Sequence, residues 1–357
     1  MTDDGWQDLA AGLAAAGRAL DEATAGLDDI DRTDARLALL RAANNLLGRI
    51  ESDRDAPELM PFNGWRQKFF MDNPDYRYWI TDLRDDGRYR ITGNVADSVY
   101  QSITVYAGTD IAKTTAVARV DTDGLEVDPD GNFDITLCRN DTGAGAWLAL
   151  PEGSTSVWVR YIHDRVDPVH PGWCRISALG SGPAGPQPAS DRLGRDLSRL
   201  GAFVTQLPQL LGFAVDADLK EPNSVRHWSA MAGGAAFTEP GIHYLRGAWQ
   251  LEPDEALVAE GPLVTCRHWN IVLYNRFLNS LDYRHSVVTR TAATSSVTGG
   301  TYRFAIAGRD PRAAGYDWLD TGGRRFGLFV LRFLQPDAEP GLPTLRRVRI
   351  DELGAGQ

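Results

Sequence analysis

The chain has 357 residues, 43% of them hydrophobic and 24% charged, which is length and apolar content enough for a soluble globular protein with a sizeable core. With 48 acidic against 37 basic residues the formal net charge is −11, so a phosphate backbone or an anionic membrane surface is repelled on average. Nucleic-acid and membrane partners are therefore not expected.

The predicted elements begin with a helical hairpin over residues 1–55. Trp6, Leu9, Leu13, Ala16, Leu20, Ala23 and Leu27 repeat at helical spacing in an Ala-rich stretch, and Leu37, Leu40, Ala43, Leu47 and Ile50 repeat it after the turn at Asp28 to Thr33. The seam either packs onto the body of the same chain or joins two copies as a homo-oligomer. Residues 56–179 change to a period of two, with β-branched and aromatic runs punctuated by Gly, Asp, Asn and Pro, which reads as antiparallel β structure. Gly180 to Ser190 interrupts it as a linker. A helix follows, capped by Ser190 or Asp191 and bearing Leu193, Leu197, Leu200, Val204 and Leu207, with Pro208 expected to stop it; linker and helix together span 180–222. A second strand-rich block fills 223–357.

The β blocks read as copies of one another. Gln101 to Tyr106, Gly131 to Leu137, Trp147-Leu148 and Val157 to Tyr161 recur in order as Trp269 to Tyr274, Gly300 to Ile306, Trp318-Leu319 and Phe329 to Phe333. The expected fold is mainly β with α: two jelly-roll-like antiparallel β-sandwich units from an internal duplication, with the hairpin and a linking helix.

Trp-Asn-x-x-Leu-Tyr-Asn-Arg at Trp269 to Arg276, with Asp282-Tyr283, Arg309-Asp310-Pro311 and Trp318-Leu319-Asp320-Thr321, resembles the bacterial family known as domain of unknown function 1214. The resemblance covers Cys266 to Pro336, with a fainter echo from Asn73 to Tyr161. It implies a jelly-roll type of β-sandwich and carries no function. Members often have His before the Arg-Asp-Pro, where this chain has Gly308.

Signatures of serine hydrolases, zincins and nucleotide-binding enzymes are absent. Cys138, Cys174 and Cys266 are far apart and fit neither a disulfide framework nor a Cys-x-x-Cys site. His163-Asp164 with Asp167 and His170 is split by Pro168 and Pro171 and reads as a polar strand exit. No metal or cofactor is expected. Met1-Thr2-Asp3-Asp4 lacks the layout of a secretion signal, so a cytoplasmic location is expected.

Features found in one copy only are the better site candidates. Trp147/Trp318 and Arg160/Arg332 recur and are assigned to the fold, each Arg being expected to pair with a buried acid or carbonyl. Alternation puts Asn270 and Tyr274 on one face of their strand, as satisfied polar groups or as the floor of a wet pocket. The candidate catalytic set is Asp282 as general acid or base, Tyr283 as oxyanion donor, His285 as proton shuttle and Asp310 converging from the next loop. Asn270, Tyr274, Asn275, Arg276, Arg309, Asp317 and Trp318 are the candidate substrate-binding residues. Tyr76, Tyr78 and Trp79, beside Asp82, are expected to wall a cleft between the units. The first functional expectation is a metal-independent hydrolase or lyase acting on a neutral hydroxylated small molecule or glycan. Its alternative is a non-catalytic protein that binds a glycan or apolar ligand, or that assembles.

Overall fold

The computed structural model describes residues 4–108, 114–141, 143, 145–180, 190–228 and 239–354. It opens with helices α1 (Asp4–Ala23) and α2 (Asp29–Leu47). The first β unit follows: β1 (Met60–Pro61), β2 (Tyr76–Asp82), β3 (Tyr89–Asn94), β4 (Tyr100–Ala107), β5 (Thr115–Asp121), β6 (Asn132–Cys138), β7 (Ala146–Ala149), β8 (Ser154–Ile162) and β9 (Trp173–Ala178). After helix α3 (Ser190–Lys220) comes the second: β10 (Val225–His227), β11 (Ile242–Gln250), β12 (Glu255–Pro262), β13 (His268–Tyr274), β14 (Thr289–Thr291), β15 (Val297–Thr298), β16 (Thr301–Ala307), β17 (Asp317–Asp320), β18 (Phe326–Leu334) and β19 (Thr344–Arg349). A short helix, α4 (Ile350–Gly354), ends the described chain.

The duplication is visible in strand order. One sheet of the first unit runs β1-β2-β8-β4-β5 and one of the second runs β10-β11-β18-β13-β14, strand for strand the same path. The facing sheets run β7-β6-β3-β9 and β15-β16-β12-β19, with β17 beside β16. Even the parallel pair is repeated, β6 with β7 and β16 with β17. In each unit the two sheets close on an apolar interior. Ile103, Val157 and Val159 meet Ile91, Phe133 and Ile135 in the first, and Trp269, Ile271 and Leu331 meet Leu257, Phe304 and Ile306 in the second. Trp147 and Trp318 repeat one contact, donating Nε1 to the carbonyls of Cys138 and Ala307.

The helices cover the outer face of the second unit's β11-containing sheet. Leu20, Ala38, Val204 and Leu211 pack there with Val272, Leu328 and Val330. The seam of α1 is thus covered within the chain, and it is rotated from the expected one. Gly5, Leu9, Gly12, Ala16 and Leu20 are buried, while Trp6 is 60% exposed. The reason is close approach to α3: a Cβ on Gly12 would lie 2.3 Å from the Gly201 carbonyl oxygen, and one on Gly5 2.5 Å from that of Gly194. Gly12→Val is expected to destabilise the fold by about 1–3 kcal/mol or more, because backbone cannot step aside as a side chain can. Gly17→Ala, on the same helix with open space around it, should instead add about 0.5–1 kcal/mol. Urea midpoints compare the two, and equal shifts would refute the close contact.

α2 also turns differently. Leu40 is 63% exposed, and the buried face carries Ala35, Ala38 and Ala42 with Asp31 and Asp34. Those acids pair with arginines of the second unit, Asp31 with Arg276 at 3.4 Å and Asp34 with Arg324 at 2.6 Å. Pro208 does not stop α3, which runs through it to Lys220. The side chains of Ser190 and Asp191, and the linker from residue 181 to 189, lie outside the described residues.

Candidate functional site

Alternating side chains give each β2- or β11-containing sheet an outer face, and these faces meet. Tyr76, Tyr100 and Ile162 of the first unit pack with Ile242 and Leu334 of the second, with Tyr78 and Tyr244 at the margin. The seam is polar toward its middle, where each unit lends the other the segment that leads into its first long strand. Asn73-Pro74 precedes β2 and Glu239-Pro240 precedes β11 at the same distance, three residues before Tyr76 and Ile242. Proline holds the residue before it extended, which fixes how Asn73 and Glu239 are presented.

In the first half of the seam the Glu239 carboxylate is the centre. It accepts from the Tyr100 hydroxyl at 3.0 Å, the Ser102 hydroxyl at 2.9 Å and Arg119 Nε at 2.9 Å. Arg160 Nη1 lies 3.3 Å from it, and Arg160 also donates to the Tyr106 hydroxyl. Arg160 and Glu239 are only 2% and 4% exposed, so each charge is kept in a dry place by the other.

In the second half the equivalents are His268, Asn270, Tyr274 and Arg332, and the carboxylate is Asp75. Asn270 Nδ2 donates to Asp75 at 2.8 Å and to Asn73 Oδ1 at 3.0 Å. His268 Nε2 faces Asp75 at 3.2 Å and Nδ1 faces Asp164 at 3.0 Å. A ring with carboxylates at both nitrogens is an imidazolium donating twice. Burial alone would lower its pKa, but the hydrogen bonds to Asp164 and Asp75 raise it above the usual histidine value. The same bond, with His268, holds the Asp164 carboxyl below its usual range.

Arg332 is the exception in this arrangement. It is 5% exposed, donates through Nη2 to the Tyr274 hydroxyl at 2.8 Å and the Met71 carbonyl at 3.3 Å, and has no carboxylate within ion-pair distance among the described residues. Its Nη1 finds no acceptor, and neither do Tyr76 Oη and Asn73 Nδ2 nearby; Asn270 Oδ1 lacks a donor. Asn270 stands opposite Arg332 in the β13–β18 register, Asn73 is bonded to Asn270, and Met71 is two residues from Asn73, so these groups share one locality. Buried donors without partners are uncommon and costly.

The expected site residues are distributed otherwise. Asn270 and Tyr274 are part of this centre, and Tyr76 and Tyr78 line the seam while Trp79 faces the first sandwich interior. Asp282 is tied to Arg284 of its own turn at 2.8 Å, and that bond holds its carboxyl down at about 2, the opposite of a raised general acid. Tyr283 has its pKa pushed up by burial and lies under the Lys68 ammonium, 4.8 Å from the ring centre. His285 sits in the same turn, its amide on the Asp282 carbonyl. Asp310 caps the Arg312 amide, and Arg309 pairs with Asp351 at 2.6 Å on the surface. Asn275 folds its own turn by accepting from the Phe277 and Asn279 amides, Arg276 belongs to Asp31, and Asp317 accepts from the Ser296 amide. Trp318 donates to Ala307. No hydrogen bond or ion pair among the described residues joins Asp282 to Asp310.

His163 is held between the carbonyls of Asp75 and Pro171, and the His170 amide donates to Asp97. Among the described residues no group of His, Cys, Asp and Glu is arranged to hold a metal ion. Asn73, Asp75, Asp164 and Glu239 were not among the expected site residues. The signal that finds Asn73 and Glu239 is the repeated polar-residue-then-proline step before the first long strand of each copy.

Fold and seam together define a duplicated β-sandwich protein whose halves exchange polar run-in segments. Residues 66–164 match the model of a family described as Protein of unknown function (DUF1214). The resemblance is thereby shown on β2 to β8, the copy in which the sequence motifs were fainter. The chain is similar over 98% of its length, and 98% of the other, to an uncharacterized protein from Burkholderia cenocepacia of known crystal structure, with 25% identity and a TM-score of 0.88. The VPA0106 protein from Vibrio parahaemolyticus shares the fold, with 12% identity, coverage of 96% and 99%, and a TM-score of 0.51. No curated protein matches the chain.

Proposed function

We propose that the protein is a non-catalytic small-ligand-binding protein whose determinant is the centre around Arg332. The observation that carries this reading is a guanidinium buried to 5% exposure with an unpartnered Nη1, beside unpartnered donors on Tyr76 and Asn73. A ligand that accepts from all of them removes a desolvation cost that the fold otherwise bears. The hydrolase or lyase reading has less support, since Asp282 is locked to Arg284 and its carboxyl is held at about 2. Three free cysteines support a cytoplasmic location. No helix among the described residues is long and apolar enough to cross a membrane. A partner copy, if recruited through the helices, meets faces other than the covered seam.

The test is thermal unfolding of wild type, Arg332→Lys and Asp282→Asn against a panel of formate, acetate, sulfate, phosphate, glycerol and glucose. A bound ligand raises the melting temperature by mass action. At least one compound should stabilise wild type and Asp282→Asn alike while Arg332→Lys loses the response. A response that survives Arg332→Lys and disappears in Asp282→Asn would return the loop after β13 to first place.

A further inference from the structure

We infer that the Arg332 centre takes a small carboxylate, of the size of formate or acetate, beside the arginine whose counterpart in the other half of the seam is paired by Glu239. The inference rests on the reading that this centre binds a ligand, and names the class.

The two halves supply the comparison. Arg160 and Arg332 occupy the same place in β8 and β18, opposite Tyr78 and Tyr244 in register, and each donates to a tyrosine hydroxyl, Tyr106 or Tyr274. Ser102 and Asn270 stand opposite those arginines on β4 and β13. On the first set lies Glu239, and its carboxylate reaches the serine, the tyrosine of β4 and the arginine together. On the second set the same chain position is Asn73, which reaches Asn270 by its amide oxygen and brings no charge.

Asp75 takes over, at His268 and Asn270, the bonds that Glu239 makes at Tyr100 and Ser102, but not the one to the arginine. One of its oxygens is given to Asn270, and the other to Asn270 and His268. No ion pair joins it to Arg332. What remains is a buried cation with one free guanidinium nitrogen and two neutral donors, from Tyr76 and Asn73. A carboxylate offers acceptors only, on two oxygens, which matches donors of this number and sign. A neutral polyol brings as many donors as acceptors, and a phosphate brings more charge than one arginine balances. Asn270 Oδ1, an acceptor, is not met by such a ligand and is left to a water.

The experiment uses the chain's own alternative. Asn73→Glu places at the second half what Glu239 supplies at the first, and Asp282→Asn, whose carboxylate is tied to Arg284 outside the centre, is the control. Acetate and formate should raise the melting temperature of wild type and Asp282→Asn, while Asn73→Glu, folded and unaided, should bind acetate about tenfold more weakly or not at all. Stabilisation of wild type by sulfate or glucose rather than acetate, lost in Arg332→Lys, would overturn the carboxylate and leave the binding reading standing. Equal acetate responses in wild type and Asn73→Glu would place acetate elsewhere and overturn the inference. No response of wild type to any of these compounds would overturn both.

Discussion

Glu239→Ala is expected to destabilise the protein by about 3–5 kcal/mol, the cost of removing one partner from a buried ion pair and leaving the other behind. Arg160, at 2% exposure, would lose the Glu239 carboxylate, and the hydroxyls of Tyr100 and Ser102 would lose the same acceptor. Arg119, which is 23% exposed, can rehydrate and adds less. Glu239→Gln keeps an acceptor and removes the charge, so its loss should be smaller. The double variant with Arg160→Met should recover a large part of the loss, since replacing a whole buried pair by apolar volume is often nearly neutral. Urea unfolding of wild type, Glu239→Ala, Arg160→Met and the double variant forms the cycle. A loss under about 1 kcal/mol for Glu239→Ala would mean that the seam is hydrated rather than dry.

Asp75→Ala should have a comparable effect, about 3–5 kcal/mol, because it strips His268 Nε2 of its acceptor and leaves Asn270 Nδ2 with Asn73 alone. The pH dependence carries a second signature. The folded pKa of His268 is raised above 6.5, so its contribution is fully present below about pH 6.5 and is lost as pH rises through the raised value. The folded pKa of Asp164 is lowered from 3.8, so its contribution is present above about pH 4 and is lost as pH falls through the lowered value. The stability difference between wild type and His268→Asn should therefore be largest between these limits and shrink on the alkaline side. A difference that grows from pH 6 to pH 9 would show that the buried ring is neutral.

The duplicated frame was legible in the sequence because it is written in alternation and aromatic landmarks, which depend on local pattern. The strands at Trp269 to Tyr274 and Phe329 to Phe333 appear where those patterns place them. The helices were less legible. Leu40 and Leu47 look like a seam, but glycine pairs and the Asp31 and Asp34 ion pairs decide which faces are buried. Pro208 is carried inside α3 because tertiary packing on both sides, at Val204, Leu207 and Leu211, holds the helix together.

The site was legible only in part. Comparing the copies for residues present in one alone did pick out Asn270, yet it set Arg332 aside because Arg160 repeats it. The distinguishing feature lies in the segments that lead into β2 and β11, which bring Glu239 to Arg160 but Asn73 only to Asn270. The run after β13 attracts notice by composition, with Asp282, Tyr283 and His285 together, but Arg284 within the same turn satisfies the acid.

A crystal structure of the wild-type protein grown without carboxylates and then soaked in acetate is the most direct measurement. Planar density within hydrogen-bonding distance of Arg332 Nη1, with Tyr76 Oη or Asn73 Nδ2 as a second donor, is the expected result. Arg332 paired with the Asp75 carboxylate, or satisfied by a single water that acetate does not displace, would contradict it.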